Sequence, residues 1–259
     1  MITVKDIDRI LSAVAPVSLS ESWDNDGVML CADVNTPVKK VLVMLEVTDA
    51  GAVYAAEHGY NLIITHHPLI FKPLSRLTGG DFCLFGRLMR AGISVLSYHT
   101  RMDSAPGGVN DVAAQLLGLC DVQPFGGERG DAGRIGRLPA PLAPVAFAEK
   151  LKAVFGCPDV RASLFRSSEK EISHVAFLGG AGKSFFYDAY AAGADAFVTG
   201  EAAHNTFLDC TALDMCLFEC GHYYTENHVC DRFVSLLADA FGKDLDCNTY
   251  DVKSPCVCL

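Results

Sequence analysis

No run of apolar residues in this chain approaches the ~20 that a membrane-spanning helix needs, although 50% of its 259 residues are hydrophobic. The apolar residues are therefore expected to fill a sizeable core, in one large or two smaller domains. Positive charge is scarce: 21 Lys and Arg stand against 31 Asp and Glu, a formal net charge of −10. Such a chain repels phosphate backbones, so nucleic acid is an unexpected partner. Tryptophan occurs once, at Trp23. A secretory leader is not in evidence, because MITVKDIDRILSAVAPVSL sets acidic residues inside an apolar period and reads as an amphipathic helix. The eleven cysteines are odd in number and scattered, which argues for reduced thiols rather than a disulfide framework. The expected setting is the cytoplasm, with no membrane partner.

What is present centres on residues 62–71, LIITHHPLIF. Three apolar residues and the β-favouring Thr65 lead into His66 and His67, and Pro68 forbids further ladder pairing and holds His67 extended. A buried strand thus delivers two imidazoles at its carboxyl end, where ligands bind in open α/β sheets. Neighbouring side chains on an extended backbone point to opposite sides, so the pair suits two ions, or one ion and a supporting role. The plainer alternative is a core histidine bonded to a carbonyl beside a solvated one.

The chain around this stretch alternates strands and helices. ESWDNDGVML follows the first helix, and its turn-forming residues make a loop that caps a core or borders a site. KVLVMLEV (40–47) is a strand covered on both faces, Thr48 caps a helix through His58, and Gly59 ends it. A helix over 81–91 and a strand over 93–98 follow, ending in YHTRMDSAPGGVND, which supplies His99 and Asp103 before a helix over 109–119. Residues 123–137, with GGERGDAG, read as a linker or mobile loop. A helix over 144–155 and a strand over 160–165 come next, and from Ile172 the chain starts again.

A constant offset of 134 residues aligns HGYNLIITHH with AGADAFVTGE: Gly59 with Gly193, Asn61 with Asp195, Ile63 with Phe197, Ile64 with Val198 and Thr65 with Thr199. The same shift places Val41 on Val175. His99 precedes Asp103 by four residues after one strand, and His222 precedes Glu226 by four after residues 215–218. The fold class is therefore α/β, of two similar halves with mixed sheets flanked by helices and a metal site between them. The expected segments are 1–124, a short connection over 125–170, and 171–259.

In GHYYTENHVCDRFVSLLADAF, His222 and Glu226 lie one helical turn apart. Together the strand ends offer His66, His67, Asp103, His222 and Glu226, with His99 as a possible sixth. Imidazoles and carboxylates without thiolate suit two divalent metal ions, zinc, iron or manganese. Five ligands exceed what one catalytic ion needs, and fit two ions about 3.5 to 4 Å apart.

ITHHPLIF, YHTRMDSAPGGVND and GHYYTE, with WDNDG and VTGEAAHN, resemble the NGG-interacting-factor-three-like family over nearly the whole chain. Its members are dinuclear-metal-centre hexameric proteins, often described as GTP cyclohydrolase 1 type 2 homologues. The resemblance implies a ring-shaped homohexamer with interior metal sites, and ligands at His66, His67, Asp103, His222 and Glu226, with Glu226 bridging. Longer members carry an extra domain between the halves; with only Phe125 to Ser168 there, this chain resembles the short form. Glu46, Arg101, Glu201 and Ala203 stand where the family more often shows aspartate, asparagine, aspartate and lysine.

GGAGKS (179–184) looks like the end of a P-loop, but the required first glycine is Phe177, leaving a strand-to-helix turn. Cys216 and Cys220 lie on a strand, a spacing unsuited to one metal. Cys256 and Cys258 belong to a packed or frayed terminus, and His58, His174 and His228 to surfaces. The leading reading is a dinuclear-metal hydrolase acting on a small molecule, with His99 or His204 as proton carrier. The rival is a non-catalytic metal-holding ring or metallochaperone.

Overall fold

The computed structural model of the protein describes residues 1–167 and 169–257, so Cys258 and the Ser168 limit of the connecting segment lie outside it. Residues 1–106 contain α1 (Val4–Val14), β1 (Gly27–Leu30), β2 (Lys40–Met44), α2 (Asp49–Glu57), β3 (Leu62–Thr65), α3 (Gly79–Arg90), β4 (Ser94–Ser97) and α4 (Thr100–Ser104). Residues 107–228 contain α5 (Val109–Leu117), β5 (Cys120–Phe125), β6 (Gly133–Leu142), α6 (Pro144–Phe155), β7 (Arg161–Ser163) and β8 (Ile172–Leu178). They continue through α7 (Phe186–Ala191), β9 (Ala196–Thr199), α8 (His204–Ala212), β10 (Cys216–Glu219) and α9 (His222–Glu226). The chain then adds α10 (Val229–Phe241) and β11 (Asp246–Thr249).

Met1–Pro106 and Val229–Lys253 make one unit, Gly107–His228 and the tail from Ser254 the other. These limits differ from the consecutive segments 1–124, 125–170 and 171–259. The difference arises because α10 packs on α1 and β11 pairs with β2, joining late chain to early chain.

The first unit's sheet has the order β1-β4-β3-β2-β11, with β11, β2, β3 and β4 parallel and β1 antiparallel at the edge. All four residues of β3 are buried, as a central strand covered on both faces requires. The amphipathic opening helix forms as read: Thr3 accepts from Asp6 N while the Asp6 carboxylate answers the Thr3 backbone, a reciprocal cap. Thr48 caps α2 by accepting from Gly51 N.

The second unit's sheet has the order β5-β6-β8-β9-β10-β7. Here β8, β9 and β10 are parallel and the others antiparallel. Phe177, Val198 and Phe218 pack on one face, Ala176, Phe197 and Leu217 on the other, the period-two alternation of a doubly covered sheet.

The internal repeat is carried by backbone pairing. Val41 opposes Leu62 and Met44 opposes Thr65 in the first unit, as Val175 opposes Ala196 and Leu178 opposes Thr199 in the second; each pair is displaced by 134 residues. The match extends to a side chain, since Asn61 Oδ1 accepts from Lys39 N and Asp195 Oδ2 from Ser173 N at the corresponding places.

The four-residue correspondence of His99 with His222 slips by one. Ser94 and Cys216 hold matching positions against β3 and β9, an offset of 122 that sets His99 on Gly221. His99 accordingly caps α4, whereas His222 is the first residue inside α9.

The glycine-rich stretch 123–137 is not a linker between units: its two ends form the β5–β6 antiparallel pair, and 126–132 is the loop that joins them. A Cβ at Gly133 would come within 2.5 Å of the Phe125 ring and 2.7 Å of the Phe177 carbonyl. That glycine serves close packing rather than freedom. Among the described residues, no helix is long and apolar enough to cross a membrane.

Candidate metal centre

In the first unit β3 ends at Thr65, and the next two residues carry the imidazoles. His66 is fully buried, and its Nδ1 donates to the Tyr98 carbonyl at 3.0 Å. This is the carbonyl bond of the plainer alternative, and it aims Nε2 at Asp103 Oδ1, 3.6 Å away. His67 lies at the rim with Nδ1 2.8 Å from Glu46 Oε2. His99, at the end of β4, has Nδ1 2.8 Å from Asp24 Oδ1. One nitrogen from each of His66, His67 and His99 lies within 4.8 Å of the others.

The second unit assembles the same elements at its own strand ends. His222 Nδ1 is 2.7 Å from Glu201 Oε1, and its Nε2 is 2.9 Å from Oε2 of the buried Glu226. Space for this pair is made by glycines. A Cβ on Gly180 would fall 2.1 Å from Glu226 Oε1, and one on Gly200 2.8 Å from the His222 Cα. The GGAGKS turn thus does what no phosphate-loop comparison suggested, making room for a carboxylate.

All four rings share one arrangement. A carbonyl or carboxylate engages Nδ1, and the hydrogen it fixes there leaves the lone pair on Nε2. This is how metal-binding histidines are oriented by the acceptor behind them. The lone pair of His222 Nε2 then faces a carboxylate oxygen at hydrogen-bond distance, which only a proton or a cation between them makes favourable. The residues present therefore fit a metal ion held by nitrogen and oxygen donors.

Asp24 is held by more than His99. Burial pushes its carboxyl up, but hydrogen bonds from His99 and from the Thr100 hydroxyl and amide, with the His99 charge, outweigh it and bring it down to about 2. Neighbouring Asp26 is pushed up by burial despite Ser20 and Arg101.

Sequence reasoning gathered His66, His67, Asp103, His222 and Glu226 into one constellation; within the first unit His66 lies beside His67 and Asp103, and within the second His222 lies beside Glu226. It noted Glu46 and Glu201 only as departures from the family pattern. The structure makes them the acceptors behind His67 and His222, and the signal was their position two residues past a buried strand. Arg101, another departure, is buried, pairs with Asp26 at 3.2 Å and lies 3.9 Å over the Tyr98 ring. His204 is exposed at the start of α8. His58 is exposed as expected, His174 is half-buried, and half-buried His228 meets the Val109 carbonyl through Nε2. The WDNDG loop does border the histidines, with Trp23 edge-on to His99.

Fold and donors together define an α/β protein of two repeated units whose strand ends carry groups able to hold a metal ion. The chain belongs to the Duf34/NIF3 (NGG1p interacting factor 3) family, whose model matches residues 2–255. It is 32% identical over 252 residues to a GTP cyclohydrolase 1 type 2 homolog of Clostridium perfringens, covering 94% of each chain. Identity is 30% over 228 residues to the GTP cyclohydrolase 1 type 2 of Helicobacter pylori, covering 87% of this chain and 88% of that one. Among solved structures, a Staphylococcus aureus hypothetical protein superposes with a TM-score of 0.89 at 26% identity, covering 99% of both chains.

Proposed function

We propose that the protein is a dinuclear metal-dependent hydrolase in which His66, His67 and Asp103 of the first unit and His222 and Glu226 of the second would hold two divalent cations. The observation that carries this reading is the common anchoring of Nδ1 in His66, His67, His99 and His222, which turns each Nε2 into a directed donor. Such a pair of ions would supply hydroxide at neutral pH for attack on carbon or phosphorus. His99 takes up the released proton at Nε2, and the Asp24 carboxylate steadies the resulting imidazolium through Nδ1. His204, exposed on its helix, is the second candidate for that transfer. The relatives' name, GTP cyclohydrolase, describes water attack on a purine ring carbon, which fits this chemistry.

The test is a screen of metal-reconstituted protein against nucleotides, phosphoesters and small amides. Hydrolysis by the wild type that an Asp103→Ala, Glu226→Ala double variant lacks supports the reading. Equal background in both, with metal bound by the wild type, assigns the centre to metal holding. The same reading includes a cytoplasmic homohexamer, and light scattering that gives a monomer at micromolar concentration contradicts the assembly.

A further inference from the structure

Trp23 is 60% exposed and Phe71 46%, yet neither sits on a loose end of chain. Asp24, with no side-chain exposure, accepts from His99 and from the Thr100 amide. Glu21 N donates to the Thr100 hydroxyl at 3.0 Å, Ser20 to Asp26 at 2.7 Å, and the Asn25 amide to the Ile70 carbonyl. The backbone on both sides of the indole is therefore pinned while the indole itself stays out of the core, forgoing the stabilisation that burying so large a ring provides.

The rings have a definite arrangement. Trp23 and Phe71 lie 6.1 Å apart at 67°, Trp23 and His99 6.3 Å apart at 76°, and Phe71 and His99 6.1 Å apart at 85°. They meet as three nearly perpendicular walls of a corner, and neither neighbour lies parallel over the indole. A flat ring stacked there would present its edge to His99, whose Nδ1 is already engaged by Asp24. Planar heteroaromatic bases stack on aromatic side chains with little dependence on their identity, because each presents a π-face.

We infer that Trp23 and Phe71 are the binding surface for a planar heteroaromatic ring of the substrate, placed so that its reacting edge meets His99. The inference rests on the proposed hydrolase reading and deepens it by naming the two side chains that position the substrate's ring.

Because Trp23 is the only tryptophan, its fluorescence reports on this corner alone, in protein freed of metal with a chelator. Guanosine is expected to quench it saturably, whereas ribose 5-phosphate and inorganic triphosphate, which lack the ring, leave it unchanged. Phe71→Leu keeps the reporter and should weaken guanosine on the order of tenfold, the scale of one lost stacking contact. Trp23→Leu, followed by equilibrium dialysis, should weaken it at least as much, with an unchanged melting temperature. Equal responses to ringed and ringless probes, or quenching that follows protein rather than ligand concentration because a second copy covers the indole, overturn the inference. Metal loading, measured separately on wild type and Trp23→Leu, keeps the two ideas apart: loading with no ring preference sinks only this one, and no loading in either protein sinks the hydrolase reading.

Discussion

The Nε2 of His222 stands 2.9 Å from Oε2 of Glu226, one turn further along the same short helix. With Nδ1 committed to Glu201, that contact is attractive only when a positive charge lies between the two groups. A cation bound there stabilises the native state by mass action. At 100 to 1,000 times its dissociation constant the gain is about 3 to 4 kcal/mol. Denaturant titrations with and without chelator should show that difference, and Glu226→Gln should abolish most of it.

Removing the acceptor behind a ligand weakens metal binding without removing the ligand. Glu46→Gln leaves His67 in place but loosens its Nδ1 anchor, and a loss of about 10- to 100-fold in metal affinity is expected. Isothermal titration with zinc measures it. An unchanged affinity would show that Glu46 merely neighbours the ring.

Gly180 sits at φ +61°, and any Cβ there invades Glu226. Gly180→Ala should cost on the order of 1–3 kcal/mol in stability and displace the carboxylate, so stability and metal affinity fall together. Gly59→Ala, at φ +74° with open space around it, is the control that should lose stability alone.

Asp24 gives a pH dependence of known sign. Its folded-state value of about 2 lies below the ordinary 3.8, so its stabilisation is fully present above the ordinary value and disappears as pH falls toward the lower one. The shift corresponds to roughly 2 kcal/mol. Acid titration of stability should show the wild type losing that much more than Asp24→Asn between about pH 5 and pH 2.

Much of this was legible in the residues because burial on both faces leaves a plain mark. Val41–Met44 and Leu62–Thr65 are apolar enough to read as central strands, and their repetition at 175–178 and 196–199 announced the second unit. Exposed edge elements left no such mark. The strand Cys120–Phe125 is largely exposed and contains Pro124, so only packing against Gly133–Leu142 defines it. Asp246–Thr249 is short and polar, and becomes a strand because Lys40–Met44 offers it an edge. At the site, the ligand types were readable from their spacing, but the acceptors behind them were not. Glu46 and His67 lie 21 residues apart, and only pairing of their strands brings them to 2.8 Å.

The proposed hydrolase function requires that donors from the two units serve one pair of cations. Anomalous diffraction from crystals grown with zinc tests it most directly. The account predicts two ions per chain, within about 4 Å of each other, touched by His66, His67 and Asp103 as well as by His222 and Glu226. A single ion, or two ions each confined to the donors of one unit, would contradict it.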